Sequence, residues 1–74
     1  NEEYRQLVDA LKSARLAVGV TQQQVADAIG QPQSYVAKVE GRERRLDITE
    51  FIQICRVIDC NPLTLLASLL NQDA

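Results

Sequence analysis

Three polar side chains that can hydrogen-bond to nucleic-acid bases lie close together in the sequence, at Gln33, Ser34 and Lys38. A glutamine amide donates and accepts at once, which matches the N6 and N7 positions of adenine, and a lysine donates to guanine or to phosphate. Serine can bond either way. If the segment is helical, these residues lie opposite Val36 and Val39, so one face can pack while the other faces a ligand. Without further context, they would form an ordinary solvated face.

A basic segment follows these polar residues. From Lys38 to Arg45 there are four basic and two acidic residues, hence a local charge of +2. The remainder has four basic and eight acidic residues, hence −4, and the chain as a whole carries −2. A negative net charge argues against nucleic acid, but this distribution predicts a basic edge on an acidic molecule. Arg44 and Arg45 are the strongest candidates for binding phosphate, because arginine offers a fork of donors. A solvated loop is the alternative.

The residues that would position this polar face form two short helices with a tight turn between them. The stretch is Thr21–Gly41, TQQQVADAIGQPQSYVAKVEG. Thr21 is a suitable N-cap, and Gln24 completes a capping box. Gly30 can supply the left-handed residue that ends the first helix. Pro32 suits a turn or the first turn of the next helix.

This stretch and its flanks resemble the helix-turn-helix of bacterial regulators of the phage repressor, Cro and XRE type. The resemblance covers about Leu11 to Leu66, and its pieces are Leu11-Lys12-x-x-Arg15, Gly19-Val20-Thr21-Gln22, Val25-Ala26, Ile29-Gly30, Val36-x-x-Val39-Glu40 and Val57-Ile58-x-x-Asn61-Pro62. Each piece is weak alone, whereas the ordered set is specific. It implies an all-α fold, a compact five-helix bundle of the lambda repressor-like type. Residues 1–74 would form one DNA-binding domain, with helices 2 and 3 as the motif at 21–41.

The resemblance also implies roles for individual residues. The second motif helix would enter the major groove of DNA. Base contacts are expected from Pro32, Gln33, Ser34 and Lys38, and phosphate contacts from Gln22, Tyr35, Arg42, Arg44 and Arg45. Two alternatives stay open, since Tyr35 could instead pack over the helix edge and Lys38 could bind phosphate.

A structural ion pair is implied between Arg15 and Glu40, which would lock helix one against the reading helix. A solvated Arg15 is the alternative. The chain departs from the family pattern at two positions. The usual glycine two residues after the glutamate is replaced by Arg42, with Gly41 one residue earlier, and Asp59 replaces a second glycine.

The remaining helices follow from caps and apolar spacing. Helix one is predicted over about Glu2–Val18, helix four from Asp47 or Ile48 to about Ile58, and helix five from Pro62 to about Leu70. The residues expected to face the core are Leu7, Leu11, Ala14 and Val18 on helix one, Ile48, Phe51, Ile52, Cys55 and Ile58 on helix four, and Leu65, Leu66 and Leu69 on helix five. Ile54 and Val57 are expected to flank the helix-four stripe, so that this helix is buried on a broad side. Residues 71–74 are expected to fray.

Helix five has more leucines than a small core needs. Leu63, Leu69 and Leu70 are therefore assigned to a homodimer interface, since several apolar residues at the end of a tiny domain favour a partner surface. A further C-terminal segment that covers them is the alternative. The start of the chain at Asn1 rather than methionine is interpreted as trimming from a longer protein.

The function predicted from these features is a sequence-specific transcriptional regulator that binds double-stranded DNA. It would act as a homodimer on an inverted-repeat, palindromic operator, as a phage repressor, a restriction–modification controller or an antitoxin-like protein. The alternative is a protein–protein interaction module that keeps the helix-turn-helix fold without specific DNA binding. The acidic net charge and the surplus leucines favour that alternative.

Other classes of function find little support in the sequence. The chain has no histidine, no nucleophile–base arrangement and no glycine-rich phosphate loop, so neither an enzyme nor a cofactor or small-molecule ligand is expected. Cys55 and Cys60 have a C-x4-C spacing that suits zinc poorly, and both are interpreted as small buried hydrophobes, with no metal site. Apolar runs fall far short of the ~18 residues of a membrane span. A cytoplasmic protein, encoded by a bacterium or phage, is expected.

Overall fold

The chain folds into α-helices joined by short connections. The computed structural model describes residues 1–71, and residues 72–74, in the segment expected to fray, lie outside the described residues. The helices are α1 (Glu2–Ala17), α2 (Gln22–Ile29), α3 (Gln33–Glu40), α4 (Ile48–Val57) and α5 (Pro62–Leu70). Within residues 1–71 there is no β-strand. The predicted five-helix, all-α fold is confirmed.

Local capping interactions define the helix ends. The Thr21 hydroxyl accepts from the Gln24 backbone N–H at 3.0 Å, and the Gln24 side chain accepts from the Thr21 N–H at 2.8 Å. Asp47 and Glu50 form the same reciprocal box at the start of α4. Gly30 ends α2 with a φ of 71°. Because a side-chain cap contributes about 1 kcal/mol, these residues set where α2 begins and ends and where α4 begins.

One apolar core joins all five helices. Its members are less than a tenth exposed: Val8, Leu11, Val25, Ala26, Tyr35, Val36, Val39, Phe51, Ile54, Cys55, Ile58 and Leu65. Val36 and Val39, on the inner side of α3, are each 2% exposed. The opposite side of α3 is consequently left in solvent, as the spacing of its apolar residues predicts.

Two predictions about buried faces are wrong. Val18 is 50% exposed and Ile48 is 64% exposed. Val18 caps α1 and Ile48 is the first residue of α4, so both lie at the edge of the domain. A residue at a helix end can lie on the apolar face and still extend past the neighbouring helices. Ile54 is only 6% exposed, which agrees with the expectation that α4 is buried on a broad side.

Non-glycine residues occupy both positions where the family pattern predicts glycine. Arg42 has a φ of 64° and Asp59 a φ of 54°, both left-handed. Gly41, by contrast, has a φ of −81°, so its backbone does not require glycine. A Cβ at Gly41 would lie 3.1 Å from the Ala37 carbonyl oxygen, which favours glycine there for space. The loop after α3 therefore makes its left-handed turn at Arg42, one residue after this glycine.

The helices of residues 1–71 are short compared with a membrane span. None of their single helices is long and apolar enough to cross a membrane. Taken together, α4 and α5 reach the required length and composition, but their axes bend by 113° at the break between them. No group of three or more potential metal-ligating side chains is found within residues 1–71.

Candidate nucleic-acid interface

The outer face of α3 carries the residues predicted to contact bases. Pro32 is the N-cap of this helix, and Pro32, Gln33, Ser34 and Lys38 are all exposed. Lys38 lies four residues after Ser34 and therefore on the same side of the helix. An eight-residue helix of about 12 Å fits lengthwise in a major groove. The structure thus brings the four residues together on one solvent-facing surface.

The predicted ion pair between α1 and α3 is present and nearly buried. Arg15 Nε lies 2.6 Å from Glu40 Oε2, and Arg15 Nη2 lies 2.9 Å from Glu40 Oε1. Both side chains are 9% exposed. Arg15 Nη1 also donates to the Val20 carbonyl at 2.8 Å. This bidentate pair fixes the C-terminal end of α3 against α1 and against the turn that precedes α2.

Gln22 is held by the same pair. Its Nε2 donates to Glu40 Oε1 at 2.9 Å, and its Oε1 accepts from Gln33 Nε2 at 2.7 Å. Gln22 is the first residue of α2 and Gln33 the first of α3. The two helix starts therefore meet through their side chains, beside a groove that Gly19, Val20 and Thr21 also line.

Arg44, predicted to contact phosphate, is paired within the domain with Glu50. Its guanidinium makes two bonds to the Glu50 carboxylate, of 3.2 and 2.9 Å, and a third to the Arg45 carbonyl at 2.9 Å. It also stacks 4.5 Å from the centre of the Tyr35 ring. Since Glu50 already balances its charge, the main contact of Arg44 is with the start of α4.

Tyr35 packs inside the domain, which favours the packing alternative over a phosphate contact. Its side chain belongs to the core and is 8% exposed. The hydroxyl accepts from Arg44 Nη1 at 3.5 Å. Burial, with the Glu50 carboxylate close by, raises the pKa of Tyr35 above its ordinary value. The phenol is thus oriented towards Arg44 and Glu50.

Tyr4, on α1, holds the loop between α3 and α4 in place. Its hydroxyl donates to the Arg44 carbonyl at 3.3 Å and accepts from the Leu46 backbone N–H at 3.0 Å. Its ring lies 4.6 Å below the Arg45 guanidinium. A residue some forty positions away along the chain therefore supports the basic loop. No local pattern in the sequence around Tyr4 indicates these loop contacts.

The remaining arginines of the loop stay at the surface. Arg42 lies 3.6 Å from the Asp9 carboxylate, with both side chains about half exposed, and Arg45 is exposed. Together with Arg5 from α1 they line one shallow depression. Sequence reasoning missed Arg5, since no local pattern connects it with residues 42–45. Glu2 lines the same depression and is paired with Arg5, so charges of both signs lie at the start of α1.

Family comparison agrees with this architecture. The helix-turn-helix family model HTH_3 matches residues 11–65. The chain belongs to this family, in its XRE type. It is similar to an XRE-family-like protein from Pseudomonas syringae pv. tomato, with 44% identity and a TM-score of 0.95 over 100% of this chain and 90% of that one. The family consists of DNA-binding transcriptional regulators.

A second solved structure shares the fold of this XRE-type domain. The wild-type restriction–modification controller protein C.Esp1396I has a TM-score of 0.84 at 20% identity, over 95% of this chain and 92% of that one. The comparison with curated proteins gave no match.

The Glu50 carboxyl group makes the stability of this XRE-type domain sensitive to acid. Hydrogen bonds from Arg44 and from the Asp47 backbone lower its pKa from 4.5 to about 2. The folded state consequently binds fewer protons than the unfolded state between these values. We expect this part of the stability to be complete above about pH 4.5 and to be lost as the pH falls to about 2.

Urea unfolding of wild type and Glu50→Gln at a series of pH values measures this contribution. The variant should show a shallower fall in unfolding free energy between about pH 4.5 and pH 2. Glu3→Gln, which removes one exposed carboxylate from α1, is the control for composition. Equal slopes for wild type and Glu50→Gln would show that the Arg44–Glu50 contact does not stabilise the fold.

Cys55 lies deeper in the domain than Cys60. Cys55 is fully buried, and burial raises the pKa of its thiol to about 12. Cys60 is half-buried, and both thiols are free. A thiol that stays protonated is a poor nucleophile and a poor metal ligand, so Cys55 serves the core as a small apolar side chain.

Proposed function

We propose that this domain recognises a specific sequence in double-stranded DNA as a homodimer and regulates transcription from an inverted-repeat operator. The observation that carries the proposal is the exposed outer face of α3. There Pro32, Gln33, Ser34 and Lys38 face solvent on a helix fixed from behind by Arg15 and Glu40. Donors and acceptors on a rigid helix are the requirement for reading base edges. Such a regulator would act in the cytoplasm, at the bacterial or phage DNA it controls.

The proposed contacts divide into two groups. Gln33, Ser34 and Lys38 would hydrogen-bond to bases, and Pro32 would contact a thymine methyl group. Gln22, Arg42 and Arg45 would bind phosphates and set the position of the domain, because phosphate contacts orient a protein without specifying sequence. Arg44 would contribute indirectly, since its contact with Glu50 holds the loop that carries the other two arginines. The contact surface thus spans α2, α3 and the loop after α3.

The homodimer would form through α5. Leu63 and Leu70 are 75% and 78% exposed, and their spacing of seven residues places them on one face of the helix. Leu69 is half-buried beside them, in an apolar groove shared with Leu7 and Leu66 from the same chain. In an isologous dimer, these leucines would be buried in both copies. The two α3 helices would then lie about 34 Å apart, in successive major grooves.

Selection of bound duplexes from a random library tests the proposal. At about 150 mM salt, where non-specific binding is weak, the protein should enrich an inverted repeat with half-sites about one helical turn apart. Enrichment of a single half-site would contradict the dimer. No enrichment by folded protein would contradict specific DNA binding and favour the protein-interaction alternative.

The dimer interface has its own test in Leu70→Asp. A carboxylate in the middle of an apolar contact has to be desolvated without a partner, so we expect the oligomer to dissociate to monomer while the helical circular dichroism is retained. Leu16→Asp, at another leucine that is 59% exposed, is the matched control and should leave the mass by light scattering unchanged. A wild-type mass for Leu70→Asp would refute the interface.

A further inference from the structure

A chain of hydrogen bonds with a fixed direction ends on the face of α3 proposed to read bases. Arg15 donates to Glu40, Gln22 Nε2 donates to Glu40 Oε1 at 2.9 Å, and Gln33 Nε2 donates to Gln22 Oε1 at 2.7 Å. The first of these residues is nearly buried and the last is exposed. The outermost amide is therefore connected to the interior of the domain.

The direction of this chain follows from the chemistry of its members. An ionised carboxylate only accepts, so the side of Gln22 that faces Glu40 has to be its amino group. The carbonyl oxygen of Gln22 then faces Gln33, so Gln33 has to donate to it from its own amino group. The orientation of Gln33 is thus fixed by Gln22, and the orientation of Gln22 is fixed by the Glu40 carboxylate.

We propose that Glu40 is a positioning residue for base recognition, because its carboxylate selects, through Gln22, which way round the Gln33 amide faces the DNA. This inference rests on the proposed function. In the selected orientation, Gln33 donates one N–H to Gln22, and its carbonyl oxygen and second N–H remain available to DNA. These are the acceptor and donor that adenine N6 and N7 require. The reversed amide would set oxygen against N7 and an amino group against N6.

The carboxylate of Glu40 is what this role requires, beyond the ion pair itself. In Glu40→Gln, the new amide has to place its amino group against a donor of Arg15 in either orientation. The two orientations are then similar in energy, and Gln22 is no longer held one way. In Arg15→Lys, the pair loses its bidentate geometry, but the carboxylate remains to accept from Gln22. The two variants weaken the same ion pair and differ in whether the acceptor at position 40 is kept.

The experiment compares the two variants on DNA. Affinities are measured for the selected operator and for its three single-base variants at the base pair whose preference Gln33→Ala removes. Wild type should discriminate there by roughly 5- to 150-fold, the range of one bidentate contact. Because two orientations of similar energy halve the population of the reading one, Glu40→Gln should lower this ratio by about twofold while keeping its preferences elsewhere. Arg15→Lys should melt at a lower temperature and keep the wild-type ratio.

Two results would overturn the proposal. The first is a wild-type ratio for Glu40→Gln. The second is an equal loss in Arg15→Lys, since the preference would then follow the packing of α1 on α3. Should Glu40→Gln fail to fold, Gln22→Met takes its place, because it removes the amide and keeps the ion pair. The same loss of ratio is expected, and retention overturns the proposal.

The outcome also separates this inference from the function on which it rests. If the wild-type protein selects no duplex, both the proposed function and the role of Glu40 in base recognition are contradicted. A wild-type protein that selects an operator, together with an unaltered ratio in Glu40→Gln, removes only the role of Glu40.

Discussion

Glu40→Ala should destabilise the domain by roughly 3–5 kcal/mol. The substitution leaves the Arg15 guanidinium in a site where the residue is only 8% exposed, with the Val20 carbonyl as its remaining acceptor. A stranded buried charge keeps its desolvation cost and loses the attraction that offset it. Since small domains are stable by about 5–15 kcal/mol in total, this one change should remove a large part of the stability. Chemical denaturation monitored by circular dichroism measures it.

Two further variants separate burial from charge pairing. Arg5→Ala breaks an exposed ion pair with Glu2 on the same helix and should change the stability little, because solvent screens such a pair. The double variant Arg15→Met with Glu40→Leu replaces the buried pair by apolar side chains and should recover most of the loss. If Glu40→Ala costs no more than Arg5→Ala, the pair between α1 and α3 is not a main determinant of stability.

Gln33→Ala should cost roughly 1–3 kcal/mol of binding free energy at the preferred operator. The loss is expected at one base pair in each half-site, because Gln33 is the first exposed residue of α3 and one bidentate contact reads one base. Affinity for non-operator DNA and the salt dependence should change little, since an uncharged amide neutralises no phosphate. Parallel duplex selection with both proteins gives the base frequencies.

The control for Gln33→Ala is a glutamine of the same kind outside the proposed interface. Gln53 is exposed on α4, and Gln53→Ala should leave the selected site and the affinity unchanged. An identical site profile for Gln33→Ala and wild type would remove Gln33 from the residues that read bases. A uniform loss at every position would instead indicate that Gln33 acts through the stability or placement of α3.

Much of the fold could be predicted because its signals are local. Thr21 and Gln24 lie three residues apart, and a capping box forms wherever such a pair starts a helix. Asn61 and Pro62 mark the start of α5 for similar reasons. The inner face of α3 followed from the spacing of Val36 and Val39, and its outer face from the polar residues Gln33, Ser34 and Lys38. Interactions within one helical turn depend little on the rest of the molecule.

The sequence does not indicate which partner a side chain has once the helices pack together. Arg44 and Arg45 are equivalent in the sequence, yet Glu50 binds the first while the second stays exposed over Tyr4. Ile48 has the right spacing for the core and is left outside it. Charge and hydropathy describe what a side chain prefers, whereas its partner depends on which helices pack beside it.

The helices, the motif and the polar face of α3 can thus be derived from the order of residues, because caps and apolar periods act over three or four positions. Tertiary packing decides which of the polar groups are free. It brings Arg15, Gln22 and Glu40 into one network with Gln33, and it holds Arg44 against Glu50. The reason is geometric: a hydrogen bond requires atoms about 3 Å apart, and only the packed helices bring residues so far apart in sequence to that distance.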